Sequence, residues 1–458
     1  MTHPIEFFPD GTGIGDFFYD ESVPDIGAFR KQYTLEPSTA DRDMRTAKIQ
    51  AGRDMRTSEI QALIDRAHSD GGGVLVIPAG TYHTGALFLR PGVHLYLSEG
   101  ATLIGSDDVC DYPLIKTRIE GETCLYFSAL INADRCDGFT IFGKGTIDGN
   151  GLKSWKHFWL RRTWNPACTN KDEQRPRLLY VSNSDNVTIA GVTLKNSHFW
   201  TSHYYRCSRL RILGVSFYSP TGAFVASDLC TGDAANADSS KSPAPRAAAE
   251  TGAASAPAAC AAPDTSGVAA PSTDAIDLDV CSDVHIKSCY MEVNDDAVAL
   301  KGGKGPDAAS DMANGSNERI LIEDCEYGFC HSCLTAGSES LRTKNVILRR
   351  SHVSASLNLL WLKLRPDTLQ HYEYITVEDI EGNVDIMLDI FRWSQFADPK
   401  ACRDGAASRA EHITLRRCKI VCKQAENISD EARPLISDLT TSDLEVTESG
   451  EAVGPLIR

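Results

Sequence analysis

The sequence predicts an all-β fold, a parallel solenoid of short strands stacked coil upon coil. A small pattern recurs along the chain: an apolar residue at i, another at i+2, and an inward small or apolar residue at i+5. It is seen at Val187/Ile189/Val192, Leu210/Ile212/Val215, Val284/Ile286/Cys289, Ile320/Ile322/Cys325, Val346/Leu348/Ser351, Ile375/Val377/Ile380 and Ile413/Leu415/Cys418. Starts lie 23 to 38 residues apart outside one larger gap, too irregular for a strict repeat array but natural for coils joined by turns of variable length. Neighbouring coils should then stack about 4.8 Å apart. A sandwich or propeller would need hairpin turns, and Asn-Gly or Asp-Gly pairs at two-residue spacing are scarce. The length of 458 residues allows two or three domains, or one elongated repeat structure.

Residues 1–56 read as an N-terminal segment, with a tandem duplication at 41–62 that lengthens a surface loop or adds a turn. Only the second copy runs on into a helix that caps the solenoid. Ile60, Leu63, Ile64 and Ala67 fall at helical spacing, Ser58 with Gln61 suggests a capping box, and Gly71 to Gly73 end the element. Val74 to Ile77 follow as a strand stopped by Pro78 and Gly80. The solenoid is expected over 57–425. Its large gap, about 222–272, is Ala-, Pro- and Ser-rich with almost no large apolar residue after Leu229, and reads as a disordered insertion in one turn. Residues 426–458 form an acidic tail that caps the last coil or hangs loose.

Hydrophobic residues make up 42% and charged residues 24%, which excludes whole-chain disorder and fibrous repeats. Lys and Arg number 46 against 62 Asp and Glu, a formal charge of −16, so nucleic acid is not the expected partner. No apolar run is long enough for a membrane span and the first residues lack the order of a secretory signal, so the expected compartment is the cytoplasm. The 15 cysteines are expected as buried thiols, with three at i+5 positions forming rungs of a stack. Charge and length leave the oligomeric state open.

Asp274 lies in Ser-Thr-Asp-Ala-Ile-Asp-Leu-Asp, and Asp295 and Asp296 follow 21 and 22 residues later, about one coil away. Three carboxylates would then crowd one surface and raise one another's pKa, letting one stay protonated as an acid while its neighbour remains a base. The plain alternative is that Asp is common before turns, as Asp277, Asp279 and Asp283 illustrate. His331 falls one pattern unit further on and could tune the carboxylates, although a His between Cys330 and Cys333 is, taken alone, more often a packed side chain than a catalyst. Those cysteines lack a second pair at zinc spacing, so neither a metal nor any other cofactor is expected. Trp361, Lys363 and Arg365 alternate and share one strand face that could hold an anionic sugar, or could be a salt-bridged surface. Trp200 and His203, and the cluster Trp155, Trp159 and Trp164, could likewise line a carbohydrate cleft or cover an end of the solenoid.

From about Thr57 to Cys418, outside the insertion, the chain resembles glycoside hydrolase family 28, the polygalacturonase and rhamnogalacturonan-hydrolase family of right-handed parallel β-helices. The family's Asn-Thr-Asp corresponds to Ser272-Thr273-Asp274 and its Asp-Asp to Asp295-Asp296. Its Gly-His-Gly corresponds to Cys330-His331-Ser332, and its Arg-x-Lys to Trp361-Leu362-Lys363, where Arg365 is the candidate substitute for the missing Arg. The resemblance implies that Asp295 is the general acid, that Asp274 and Asp296 activate water, that His331 tunes them, and that Lys363 with Arg365 grips a sugar acid. The implied reaction is an inverting hydrolysis of pectin-derived oligosaccharides, galacturonan or rhamnogalacturonan, from a chain end and without cofactors. Its carboxyls are expected roughly 6.5 to 9.5 Å apart to admit the water. The alternative is a β-helix that binds carbohydrate without cleaving it. A lyase on the same fold would need a different base.

Overall fold

The apolar pairs fall into register. In the computed structural model, which describes residues 6–37, 55–221, 267–395, 397 and 408–449, Leu95, Ile141, Ile189, Ile212, Ile286, Ile322, Leu348, Val377 and Leu415 succeed one another as parallel strand partners. All are buried, and each such side chain contributes about 1.5–3 kcal/mol on leaving water. Among the described residues 28 strands join in one sheet, with every strand pairing in it parallel, which is the expected β-helix. The coils wind right-handed, the sense that parallel crossovers take. A bend recurs just before the first apolar position of each pattern unit. Asn186, Arg209, Asp283, Arg319, Asn345, Tyr374 and His412 there adopt the left-handed conformation, with φ from 50° to 59°. Arg319 Nε donates to Asp283 Oδ1 at 2.6 Å, tying two such bends together across coils.

The N-terminal helix, Thr57–Ser69, buries Ile60, Ile64 and Ala67 against the first coils, with Leu63 half-buried beside them. Its start departs from the expected capping box. Arg56 is the N-cap residue, Thr57 Oγ1 accepts from Gly85 N, and Gln61 exchanges two hydrogen bonds with the Phe88 backbone. Tertiary pairing thus takes the side chains that local capping would use. The first copy of the duplication lies outside the described residues.

Two boundaries shift. The solenoid does not end at 425: Ile436–Ser442 and Glu445–Glu448 pair in parallel with Arg409–Arg416 and Lys419–Ile428. Their faces are mostly exposed, so the period-2 apolar signal is weak. The end of the expected insertion is also docked. Val268, Ala269 and Ala270 are buried, Trp159 Nε1 donates to Ala269 O at 2.8 Å, and Arg175 Nη1 donates to Pro271 O at 2.6 Å. Residues 222–266 lie outside the described residues. The 12 described cysteines are free thiols, and Cys289, Cys325 and Cys418 are buried rungs whose Sγ atoms donate to backbone carbonyls.

One hairpin stands off the helix. Its antiparallel strands, Leu114–Ile119 and Glu122–Phe127, leave the solenoid just before the strand Ile131–Asp134 and cross the sheet face. Its own Thr117, Arg118 and Ile119 are buried against the sheet.

Candidate active site

Four consecutive coils present strands Ile276–Asp279, Val298–Lys301, Ser332–Ala336 and the end of Arg342–Leu364, paired in that order. The residues just before the first three strands are Asp274, Asp295 with Asp296, and His331. Stacking therefore turns a sequence spacing of about one coil into a spatial cluster. Backbone hydrogen bonds fix it: Ala275 N donates to Asp296 O at 3.0 Å and His331 N to Asp295 O at 2.8 Å. Asp296 N donates to Asp274 Oδ1 at 3.1 Å.

One oxygen from each of Asp274, Asp295 and Asp296 lies within 4.8 Å of the others. These nearest oxygens are closer than the carboxyl separation expected from the sequence, because the three residues stand on adjacent coils. Asp274 and Asp296 are buried, while a quarter of the Asp295 side chain is exposed. Lys363 Nζ reaches Asp296 Oδ2 at 3.0 Å, and His331 Nδ1 lies 3.4 Å from Asp295 Oδ1. Three acidic oxygens at this spacing could also hold a cation, but Lys363 already occupies one of the Asp296 oxygens.

The charges are unequal. Burial, with the charge of Asp295 next, pushes the Asp274 carboxyl well above the ordinary carboxylate range. Burial would also raise Asp295, but the charge and hydrogen bond of His331, the charge of Lys363 and a hydrogen bond from Asp274 hold it well below that range. Burial opposes charge on His331, and the Asp295 carboxylate outweighs it, so the imidazole value is raised. Of the trio, Asp274 therefore most favours its neutral form and Asp295 most favours its charged form.

A second layer, missed in the sequence, supports the trio. Asp277 forms a buried pair with Lys301 Nζ at 3.1 Å, and burial pushes its carboxyl up to about 7. Asp279 takes Arg118 Nε at 3.0 Å. The signal was present in the strand period of two, which puts Asp277 and Asp279 on the same face as the site, but their spacing alone reads as common turn-region Asp.

The Glycosyl hydrolases family 28 profile matches residues 115–451. The chain belongs to this family. A "Probable polygalacturonase" of Vitis vinifera is 25% identical over 51% of this chain and 38% of its own length. An "Exo-poly-alpha-D-galacturonosidase" of Dickeya chrysanthemi is 33% identical over 26% of this chain and 20% of its own length. The chain thus spans well under two thirds of these curated relatives. Among solved structures, the exopolygalacturonase of Thermotoga maritima superposes with a TM-score of 0.62 at 18% identity, covering 91% of this chain and 94% of that one.

Of the family 28 motif positions, the structure gathers Asp274, Asp295, Asp296, His331 and Lys363. It does not bring Arg365 to the site. Arg365 is buried with Nε and Nη2 each 2.8 Å from the Asp367 carboxylate, because the chain turns at Pro366 and carries Arg365 off the strand face. Trp200 and His203 are not cleft-lining either. Trp200 is 3% exposed and stacks on Phe199 at 4.8 Å, with Lys301 over its ring. His203 is fully buried, accepts from Arg177 Nη1 at 2.6 Å, and is pushed down to about 4 by burial. Both are covered by the hairpin and by Arg177, which donates to Arg118 O and Thr117 Oγ1. Trp155 and Trp159 belong to the helix Leu152–Trp164 and pack on 268–270, whereas Trp164 at its end is 69% exposed. Trp361 is half-buried, with Lys363 Nζ 3.8 Å from its ring centroid.

The hairpin tip shapes the cleft. Gly121 has φ +73°, and a Cβ there would meet Glu339 Cβ and Gly303 Cα at 3.0 Å. Lys304 Nζ lies 3.6 Å from Glu120 and 3.4 Å from Glu122. The hairpin therefore lies across the sheet from the Ile131–Asp134 coil to the loops after Val298–Lys301 and Ser332–Ala336. Its tip thus packs beside the carboxylate coils, and Trp361 and Phe391 lie on later strands that these hairpin contacts do not reach.

Proposed function

We propose that this family 28 chain is an inverting glycosidase that hydrolyses pectin-derived oligosaccharides, of galacturonan or rhamnogalacturonan, from a chain end. The convergence of Asp274, Asp295 and Asp296 with His331 and Lys363 carries this reading. Asp295 is the most exposed of the three and stands where a glycosidic oxygen can reach it. It delivers to that oxygen the proton it shares with Asp274, and Asp274 recovers one from the attacking water. Asp296, held by Lys363, orients that water toward the anomeric carbon from the other face of the sugar. The cycle uses only these side chains and water. His331, 3.4 Å from Asp295 Oδ1, favours the charged form of Asp295, so the proton that Asp295 delivers is drawn from Asp274.

End-on action is suggested by the hairpin, whose tip packs on Gly303 and Glu339 beside the carboxylate coils, and the Dickeya relative named as an exo-acting enzyme points the same way. The test is reducing-end release from galacturonan and rhamnogalacturonan oligosaccharides by the wild type and by Asp295→Asn, with the first anomer formed identified by NMR. Release of single terminal units with inverted configuration, lost in the variant, supports the proposal. Bound oligosaccharide without release would instead make this a carbohydrate-binding β-helix.

A further inference from the structure

The Trp361 side of the carboxylate cluster lacks, among the described residues, the cationic grip that the family resemblance implies. Trp361 stands at the Arg position of that motif, Arg365 is locked onto Asp367, and Lys363 is 7% exposed with its ammonium tied to Asp296. Aromatic rings occupy the space instead. Trp361, Phe391 and Trp393 are half-buried and mutually packed, with centroids 5.6 to 5.9 Å apart. Trp361 Nε1 is a buried donor without a partner. The neighbours of Trp361 in the same outward ladder are Thr335 on one side and Asp389 on the other. Asp389 is buried, accepts from Asn427 Nδ2 at 2.8 Å, and burial pushes its carboxyl up to about 6.

We propose that the sugar held beside Trp361 is uncharged, either a neutral sugar or a uronate whose carboxyl is esterified. This rests on the glycosidase reading and names the substrate class of that site. A carboxylate placed over Trp361 would meet the negative face of an aromatic ring and the Asp389 side chain, with the adjacent ammonium already engaged. An uncharged ring offers its C–H face to the exposed parts of Trp361 and Trp393 and brings no charge that would need a counter-ion there. Discrimination then comes as much from repelling the anion as from holding the neutral ring.

The experiment compares three substrates: unesterified galacturonan oligosaccharides, methyl-esterified ones, and rhamnogalacturonan oligosaccharides, in which every second sugar is neutral. Wild-type kcat/KM should be about tenfold higher or more for one of the last two than for the first, and which of them leads identifies the source of the neutrality. Trp361→Arg should narrow or reverse that ratio, and Trp361→Phe, which keeps a platform and adds no charge, should preserve the preference. Equal or faster cleavage of the unesterified substrate overturns the inference, as does a Trp361→Arg variant that slows all three alike. Binding of the same oligosaccharides to Asp295→Asn, read by tryptophan fluorescence, separates the two levels. A preference in binding with no cleavage by the wild type sinks the hydrolase reading and leaves this one standing. Cleavage of the unesterified substrate alone does the reverse.

Discussion

Replacing Lys363 by methionine tests how the carboxylate cluster is held together. The two side chains of the Lys363–Asp296 pair are 8% and 4% exposed and meet at 3.0 Å, with Asp274 and Asp295 in the same cluster. Methionine fills much of the lysine volume but leaves the Asp296 carboxylate buried beside two other acids. Breaking one side of such a pair costs about 3–5 kcal/mol, most of it the penalty of an uncompensated buried charge. Adding Asp296→Asn removes that charge, so the double variant should regain at least about 2 kcal/mol of the loss. Denaturant unfolding followed by circular dichroism measures all four members of the cycle. Activity gives a second reading: with the cation gone the cluster binds a proton more tightly, and the acidic limb of the kcat/KM profile moves to higher pH. A single variant within about 0.5 kcal/mol of wild type, or a double variant no more stable than the sum of its parts, would falsify the view that Lys363 chiefly neutralises Asp296.

Other perturbations separate catalysis from support. Asp295→Asn should lower kcat by about 10²–10⁴ while oligosaccharide affinity, measured by calorimetry, is retained. Arg365→Met should destabilise by about 3 kcal/mol through the stranded Asp367 yet leave KM within about twofold, because Arg365 does not face the cleft; a large rise in KM would return Arg365 to substrate binding. The raised His331 value means its pairing with Asp295 is fully expressed below pH 6.5 and fades as pH rises through the folded value, so the stability gap between wild type and His331→Gln should shrink at alkaline pH. Gly121→Val adds a branched side chain where even a Cβ meets Glu339 and Gly303 at 3.0 Å and where φ is +73°. It should push the hairpin tip away and let longer fragments appear among the products on chromatography. An unchanged product profile would mean the hairpin does not set end-on action.

The β-helix and the carboxylate cluster were legible in the sequence because both follow from two short-range numbers. A strand period of two sets which face a residue takes, and a coil of about 21 residues sets which residues stack, so Asp274 and the Asp295-Asp296 pair, like Leu278 over Leu300, are juxtaposed by counting. The same counting placed Trp361 and Lys363 together. It could not place Arg365, whose strand ends one residue earlier at Leu364, nor the final strands, whose exposed faces carry little apolar pattern. Exposure was the other thing only tertiary structure decided. His203 and Trp200 sit on the correct face of the sheet, yet they are buried because a hairpin formed some 80 residues upstream folds over them. Which aromatic rings are covered, which cation is tied up in a buried pair, and which carboxyl favours its neutral form all depend on such long-range covering. Burial from water, unlike strand period, leaves no local trace in the sequence.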